Sequence, residues 1–173
     1  MQGNYCYKYP HPGVTADMVA FSFENNHLHL LLIQRKNEPY KDKWAFPGGF
    51  MNIDECIEDC AKRELEEETN LITNEIHQIG CFSKVDRDPR ERVITIAFAS
   101  IVKKQEVIGS DDAKKAIWFS IDALPDLAFD HKEILHNTIN KLKEMIALGT
   151  LEIKEYSEDK QKAIKEKILQ LDL

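Results

Sequence analysis

No apolar run in the 173-residue chain approaches the roughly 20 residues that a membrane-spanning helix requires. The opening residues Met1-Gln2-Gly3-Asn4-Tyr5-Cys6-Tyr7-Lys8 lack the apolar core of a secretory signal. Positive charge is in deficit: 23 Lys and Arg against 30 Asp and Glu give a net charge of −7. That balance argues against a general binder of nucleic acid or of membrane surfaces. Cysteine is scarce, with Cys6, Cys56, Cys60 and Cys81 the only four. Cys56 and Cys60 stand four apart, but no second Cys or His pair completes a structural-zinc spacing. Small buried free thiols in a reducing compartment are therefore expected. Neither an internal repeat nor a low-complexity stretch is present. A cytoplasmic protein is the expectation, and the chain is long enough for one domain with a real core and too short for two of ordinary size.

Acid is what the chain has in abundance, and it is concentrated. Gly48-Gly49-Phe50-Met51-Asn52-Ile53-Asp54-Glu55 reads as a glycine turn feeding a helix. Arg63-Glu64-Leu65-Glu66-Glu67-Glu68-Thr69-Asn70-Leu71 forms its last turns and exit. At 3.6 residues per turn, Glu64, Glu67 and Glu68 fall at i, i+3 and i+4 on one face. Like charges at those spacings repel by roughly 0.2–0.5 kcal/mol per pair. Such a stripe is either a solvated acidic face or a cation site. Carboxylate oxygens are hard ligands and suit Mg²⁺, Mn²⁺ or Ca²⁺ rather than zinc. The helix is expected to start near Asn52 or Asp54, with Asn52 and Glu55 as an Asn variant of the capping box. Ile57, Cys60, Ala61 and Leu65 supply its buried face, while Glu66 points away as an ordinary surface residue.

Around this helix the pattern alternates between strand and helix signals. Residues 16–23 and 28–34 read as two strands of a hairpin about the turn 24–27. A charged loop, 35–43, and Trp44-Ala45-Phe46-Pro47 lead into the glycines. Residues 75–83, 92–102 and 116–119 are further strands, with 109–112 as a loop. A second helix is expected from Asp130, capped with Glu133, to about Leu148, with Ile134, Leu135, Ile139, Leu142, Met145 and Ile146 as its stripe and Gly149 as its stop. A last amphipathic helix carries Ile164, Ile168 and Leu169 and packs on the body or on a partner. Strands, a helix, more strands and another helix indicate an α+β or mixed layered fold.

The spacing Gly49, Glu55, Arg63-Glu64-Leu65, Glu67-Glu68 and Leu71 resembles the signature of the Nudix hydrolases, G-x5-E-x7-R-E-U-x-E-E-x-G-U with U aliphatic. The one departure is Asn70 where the family has glycine, and asparagine is the usual second choice for a left-handed helix end. The resemblance covers about residues 14–148. It implies the Nudix fold, a mixed sheet between helices, with residues 1–150 as the hydrolase domain and 151–173 as a helical tail. It also implies hydrolysis of a nucleoside diphosphate linked to another group, with Mg²⁺ or Mn²⁺ as cofactor. Metal binding falls to Glu64 and Glu68, with Glu67 sharing that role or helping to activate water, and to a backbone carbonyl of Gly48. Arg63 and Glu55 would orient the acids.

The flanks bear on the substrate. In Asp86-Arg87-Asp88-Pro89-Arg90-Glu91-Arg92-Val93, the arginines could fork onto phosphate oxygens or bridge internally to Asp86, Asp88 and Glu91. The loop resembles that of ADP-ribose pyrophosphatase-like Nudix proteins, which usually carry Gly at the position of Glu91. Residues 9–17 and Leu127-Ala128-Phe129-Asp130-His131 resemble the same subgroup. Arg87, Arg90, Arg92 and Phe46 are thus the substrate-binding candidates. Trp44, Phe82 and Trp118 are further aromatics for stacking or for core packing, and Glu91 and Glu106 are extra acids.

These features converge on ADP-ribose cleavage to AMP and ribose 5-phosphate, by a chain that binds a small nucleotide and neither nucleic acid nor membrane. Relatives are often homodimers, which leaves that assembly open here. Two alternatives stand: a pyrophosphohydrolase of (deoxy)nucleoside triphosphates, and a non-catalytic ADP-ribose sensor. Sensors of this subgroup carry a winged-helix domain, for which the stretch after Gly149 is too short.

Overall fold

The computed structural model describes residues 6–110 and 112–172. Residues 1–5, part of the stretch read for a signal, and Asp111 of the expected loop lie outside them. β1 (Gly13–Glu24) and β2 (His27–Arg35) form the expected hairpin. Asn25 and Asn26 both take positive φ, 52° and 64°, which is what a two-residue type I′ turn demands. β3 (Trp44–Ala45), β4 (Gly48–Phe50), α1 (Ile57–Thr69), β5 (His77–Phe82), β6 (Val93–Val102), β7 (Ala113–Ser120), α2 (His131–Ala147) and α3 (Glu158–Gln170) follow.

The seven strands make one mixed sheet in the order β3-β2-β1-β6-β5, with β4 on β1 and β7 on β2. β1 and β6 are parallel, and the other pairings are antiparallel. The sheet lies between helices because its central strands are apolar on both faces. Val19, Phe21, Leu28, Leu30, Leu32, Ala97 and Ala99 meet Ile134, Ile139 and Leu142 of α2 and Ile164 and Ile168 of α3. Ala16, Met18, Ala20, Leu31, Ile33 and Phe98 meet Cys60, Ala61 and Leu65 of α1. The α+β architecture expected of the Nudix fold is the one observed.

One feature of the sheet makes room for a site. The β1–β2 ladder runs from Glu24/His27 only to Phe21/Leu30. Beyond it the strands part, and β4 takes the edge of β1 at residues 15–17 while β3 pairs β2 at Ile33 and Gln34. The glycine turn is thereby held in the cleft, facing α1.

Several local expectations are corrected. α1 begins at Ile57 with Cys56 at the cap, later than Asn52 or Asp54. The Asn52 N–H does donate to Glu55 Oε1 at 2.7 Å, but this closes a turn outside the helix. α2 has no side-chain cap from Asp130, whose carboxylate is taken by Arg87. Only Cys60 of the four cysteines is buried, and Cys6, Cys56 and Cys81 are exposed free thiols. Leu169 faces solvent, and Leu171 fills the core position instead.

The last stretch joins the body. Leu151, Ile153 and Tyr156 are buried with α3 in the α2-side core. Tyr156 Oη accepts from the Phe23 N–H at 3.0 Å and donates to the Val102 carbonyl at 2.6 Å, tying the ends of β1 and β6. No helix among the described residues is long and apolar enough to cross a membrane.

Candidate functional site

The cleft between β1 and β2 opens into a cavity of about 370 Å³. One wall is the glycine turn and the acidic face of α1: Gly48, Gly49, Phe50, Arg63, Glu64, Glu67 and Glu68. Glycine is required at this wall by close approach. A Cβ on Gly48 would stand 2.3 Å from the Ala16 carbonyl oxygen, and one on Gly49 would stand 2.6 Å from the Glu64 carboxylate. The first contact could be relieved only by moving backbone, the second only by displacing the Glu64 carboxylate from its place.

Arg63 organises the acids. Its Nε and Nη2 fork onto both oxygens of Glu55, at 2.9 and 2.7 Å. Nη1 donates to Glu64 Oε1 at 2.6 Å and to Glu67 Oε2 at 2.9 Å, and Nη2 also reaches the Phe50 carbonyl at 3.1 Å. Held by this guanidinium, the Glu55 carboxyl falls to a pKa of about 2. Glu68 lies deeper, buried and away from Arg63. It accepts the Gly48 N–H at Oε2, 2.9 Å. Burial raises it to about 8 against the pull of that N–H, helped by the neighbouring charges of Glu64 and Asp112. Burial also raises Glu64.

The expected metal set of Gly48, Glu64, Glu67 and Glu68 is therefore brought to one wall but not preassembled. Among the described residues no three His, Cys, Asp or Glu side chains converge closely enough to hold an ion. The reason is local: Arg63 draws Glu64 and Glu67 to itself, and the Gly48 N–H draws Glu68. The donor chemistry still fits a hard divalent cation. Three carboxylates face one cavity, and the deepest of them holds its charge only against a burial penalty that a cation would relieve.

The facing wall comes from the loop after β5 and the start of α2. Arg87 is buried and forks onto Asp130 at 2.9 and 2.7 Å, with Asp17 at 3.8 Å. Arg90 forks onto buried Asp88, the closest contact being 2.6 Å, and lies over the Phe50 ring at 5.4 Å. Both arginines line the cavity. Arg92 does not: it donates to the carbonyls of Ser83, Lys84 and Val93 and staples the loop. Arg87 and Arg90 thus both bridge internally, with Asp130 rather than Asp86 as the partner of Arg87. Neither Glu91 nor Glu106 lines the cavity.

Phe46 reaches the cavity from the core, where its ring stacks on His131 at 4.8 Å and 6°. The Phe46 N–H donates to His131 Nδ1 at 3.0 Å, and burial lowers the pKa of this imidazole, consistent with a neutral ring. Trp44, Phe82 and Trp118 do not line the cavity. Trp44 packs edge-on against Phe119, and Trp118 Nε1 donates to the Gln105 carbonyl. The lining also includes Asp17, Arg35, Phe50, Asp112 and Phe129, which sequence reasoning did not select. Phe50 sat beside the glycines and Phe129 beside a noted cap, so proximity was a usable signal for both. Asp17 closes the stretch 9–17 that resembles the subgroup, whereas Arg35 and Asp112 carry no such signal.

Residues 11–138 match the family model described as NUDIX domain. An ADP-ribose pyrophosphatase of Methanocaldococcus jannaschii is 43% identical over 127 residues, 73% of each chain. A crystal structure of a MutT/nudix family protein from Enterococcus faecalis superposes with a TM-score of 0.82 at 30% identity, covering 98% of this chain and 78% of that one. The NUDIX domain of Shewanella oneidensis NrtR, in a cocrystal structure with ADP ribose, gives 0.73 at 29% identity, over 80% of this chain and 94% of that one.

Proposed function

Because the chain belongs to the Nudix family, we propose that it is a hydrolase that cleaves the pyrophosphate bond of ADP-ribose, giving AMP and ribose 5-phosphate. The observation that carries this reading is the pairing of walls: Glu64, Glu67 and Glu68 face the same cavity as Arg87 and Arg90. The similarity to an ADP-ribose pyrophosphatase and to a domain crystallised with ADP ribose supports the choice of substrate.

In hydrolysis a water oxygen bonds to one phosphorus while a bridging P–O bond breaks, and the second phosphate leaves with the bridging oxygen. The difficulty is attack on a centre already ringed with negative charge. Glu64, Glu67 and Glu68, with a carbonyl from Gly48, would hold Mg²⁺ or Mn²⁺. Such an ion screens phosphate charge and lowers the pKa of bound water. Arg63 and Glu55 hold the acids in register. Arg90, half exposed at the facing wall, would offer the nucleotide the edge that Asp88 does not hold. Arg87, neutralised by Asp130, positions the loop more than it binds.

The test is product analysis with ADP-ribose, NADH, a sugar-nucleotide and the common dNTPs, each with Mg²⁺ and with Mn²⁺. AMP and ribose 5-phosphate from ADP-ribose in preference to the rest is the expected result. Selective pyrophosphate release from a dNTP would overturn the substrate. ADP-ribose bound but left intact would overturn turnover in favour of sensing.

A further inference from the structure

His131, the first residue of α2, is buried, and the chemistry above leaves it without a task. Its place is beside the glycine turn. The linker between β3 and β4 is Phe46-Pro47, and proline has no N–H. The one N–H of the linker, that of Phe46, donates to His131 Nδ1 at 3.0 Å. The next N–H along the chain, that of Gly48, goes to Glu68 Oε2. His131 and Glu68 thus grip successive N–H groups of the same turn.

A neutral imidazole accepts at one nitrogen and donates from the other. With Nδ1 accepting, the proton stands on Nε2, which faces Asp17 Oδ1 at 3.7 Å. Asp17 is itself fixed, because its Oδ2 accepts the Thr95 hydroxyl at 2.7 Å. It pairs with Gly48 in the β1–β4 register, and its Oδ1 lies 2.8 Å from where a Cβ on Gly48 would stand. The imidazole therefore reaches the turn twice, directly at Phe46 and through Asp17 at Gly48. Stacking on the Phe46 ring sets its plane, and the Ala128 N–H on the Trp44 carbonyl at 2.8 Å ties the approach to α2 to β3. Burial outweighs the pull of Asp17 and Asp130 and lowers the pKa of the ring.

We propose that His131 is a positioning residue: protonated on Nε2, it accepts the Phe46 N–H, faces Asp17, and fixes the turn that carries the Gly48 carbonyl and holds Glu68. It touches neither metal nor substrate. The proposal rests on the hydrolase reading for the role of Gly48 and Glu68, and it adds a residue that acts on the metal wall from behind.

The test uses the full chain and Mn²⁺ alone, titrated by electron paramagnetic resonance without nucleotide. His131→Leu, which removes the acceptor, is expected to weaken Mn²⁺ binding by about 10–100-fold, the usual effect of losing a group that orients metal ligands. It should lower kcat for ADP-ribose far more than it raises KM, and it should speed exchange of the Phe46 amide hydrogen. His131→Asn, whose carbonyl can accept the same N–H, should restore most of each. Unchanged Mn²⁺ binding in folded His131→Leu would overturn the proposal, as would an Asn variant no better than Leu. Should His131→Leu not fold, ¹⁵N NMR of the wild-type imidazole decides: a proton on Nδ1 would overturn the proposal, and a bare Nδ1 with a slowly exchanging Phe46 amide would support it. A chain whose Mn²⁺ affinity depends on His131 yet leaves ADP-ribose intact would support the positioning role and overturn the substrate reading alone.

Discussion

The Gly48 N–H donates to Glu68 Oε2 at 2.9 Å across 20 residues of sequence, locking the glycine turn to the last turn of α1. This single bond does not offset the burial of the carboxylate, whose pKa stands at about 8 against an ordinary 4.5. A group raised on folding stabilises the fold fully below its unfolded pKa, and that contribution is lost as pH rises through the folded one. The metal-free protein should therefore lose stability from about pH 4.5 to about 8 at this residue. Thermal melts in chelator should show Tm falling across the upper part of that window. Each ~1 kcal/mol corresponds to roughly 2–4 °C in a chain this size. Glu68→Gln should flatten the slope, and an unchanged slope in that variant would show that the titration belongs elsewhere.

Turnover should separate the acids by position. Glu68→Gln and Glu64→Gln are expected to abolish measurable hydrolysis while the folded circular dichroism spectrum persists. Arg63→Ala, which removes the hub that holds Glu55, Glu64 and Glu67, should lower activity by about 10–100-fold, the usual effect of losing a residue that orients ligands. Glu66→Gln, exposed on the other side of α1, should retain wild-type rates. Full activity in Glu68→Gln would disprove the assignment of the acidic wall.

Helical spacing was enough to place Glu64, Glu67 and Glu68 on one face, because a 3.6-residue period is a local property. The long strands were legible for the same reason. β3 and β4, two and three residues long, carry no period and exist only because β1 and β2 part and leave edges to be paired. The capping role expected of Asp130 failed because a partner 43 residues away, Arg87, takes its carboxylate. Arg35 reads as one charge in a charged loop, since its place on the cavity wall follows from where β1 and β2 part, which is a property of three dimensions.

Asn70 tests the one departure from the signature. It ends α1 at φ 60°, with its N–H on the Glu66 carbonyl. Asn70→Gly should raise stability by at most about 1 kcal/mol, and Asn70→Val should lower it by about 1–2 kcal/mol through left-handed strain. Both should keep kcat. Urea midpoints that do not differ between the two would mean that the left-handed turn exerts no strain.

Arg87 and Asp130 hold the arginine loop to α2 through a buried fork of 2.9 and 2.7 Å. Removing one partner strands the other charge in the interior. Asp130→Ala should then cost about 3 kcal/mol, the low end of the usual range because Asp17 remains 3.8 Å from Arg87. Replacing both, as Arg87→Met with Asp130→Leu, should cost less than the sum of the two single changes. Strict additivity in urea denaturation would mean that the pair is not coupled.

The final helix gives a contrast within a few residues. Ile164 is fully buried among β-sheet and α2 side chains, whereas Leu169 is half exposed. Ile164→Ala should lower unfolding free energy by about 2–5 kcal/mol, the usual range for emptying a core position. Leu169→Ala should stay within about 0.5 kcal/mol. Both should unfold in one transition, because the buried residues of α3 share a core with β1 and α2 and not with each other alone. A separate early transition for Ile164→Ala, with the main midpoint unmoved, would make residues 151–173 an appendage that docks on the hydrolase body without stabilising it.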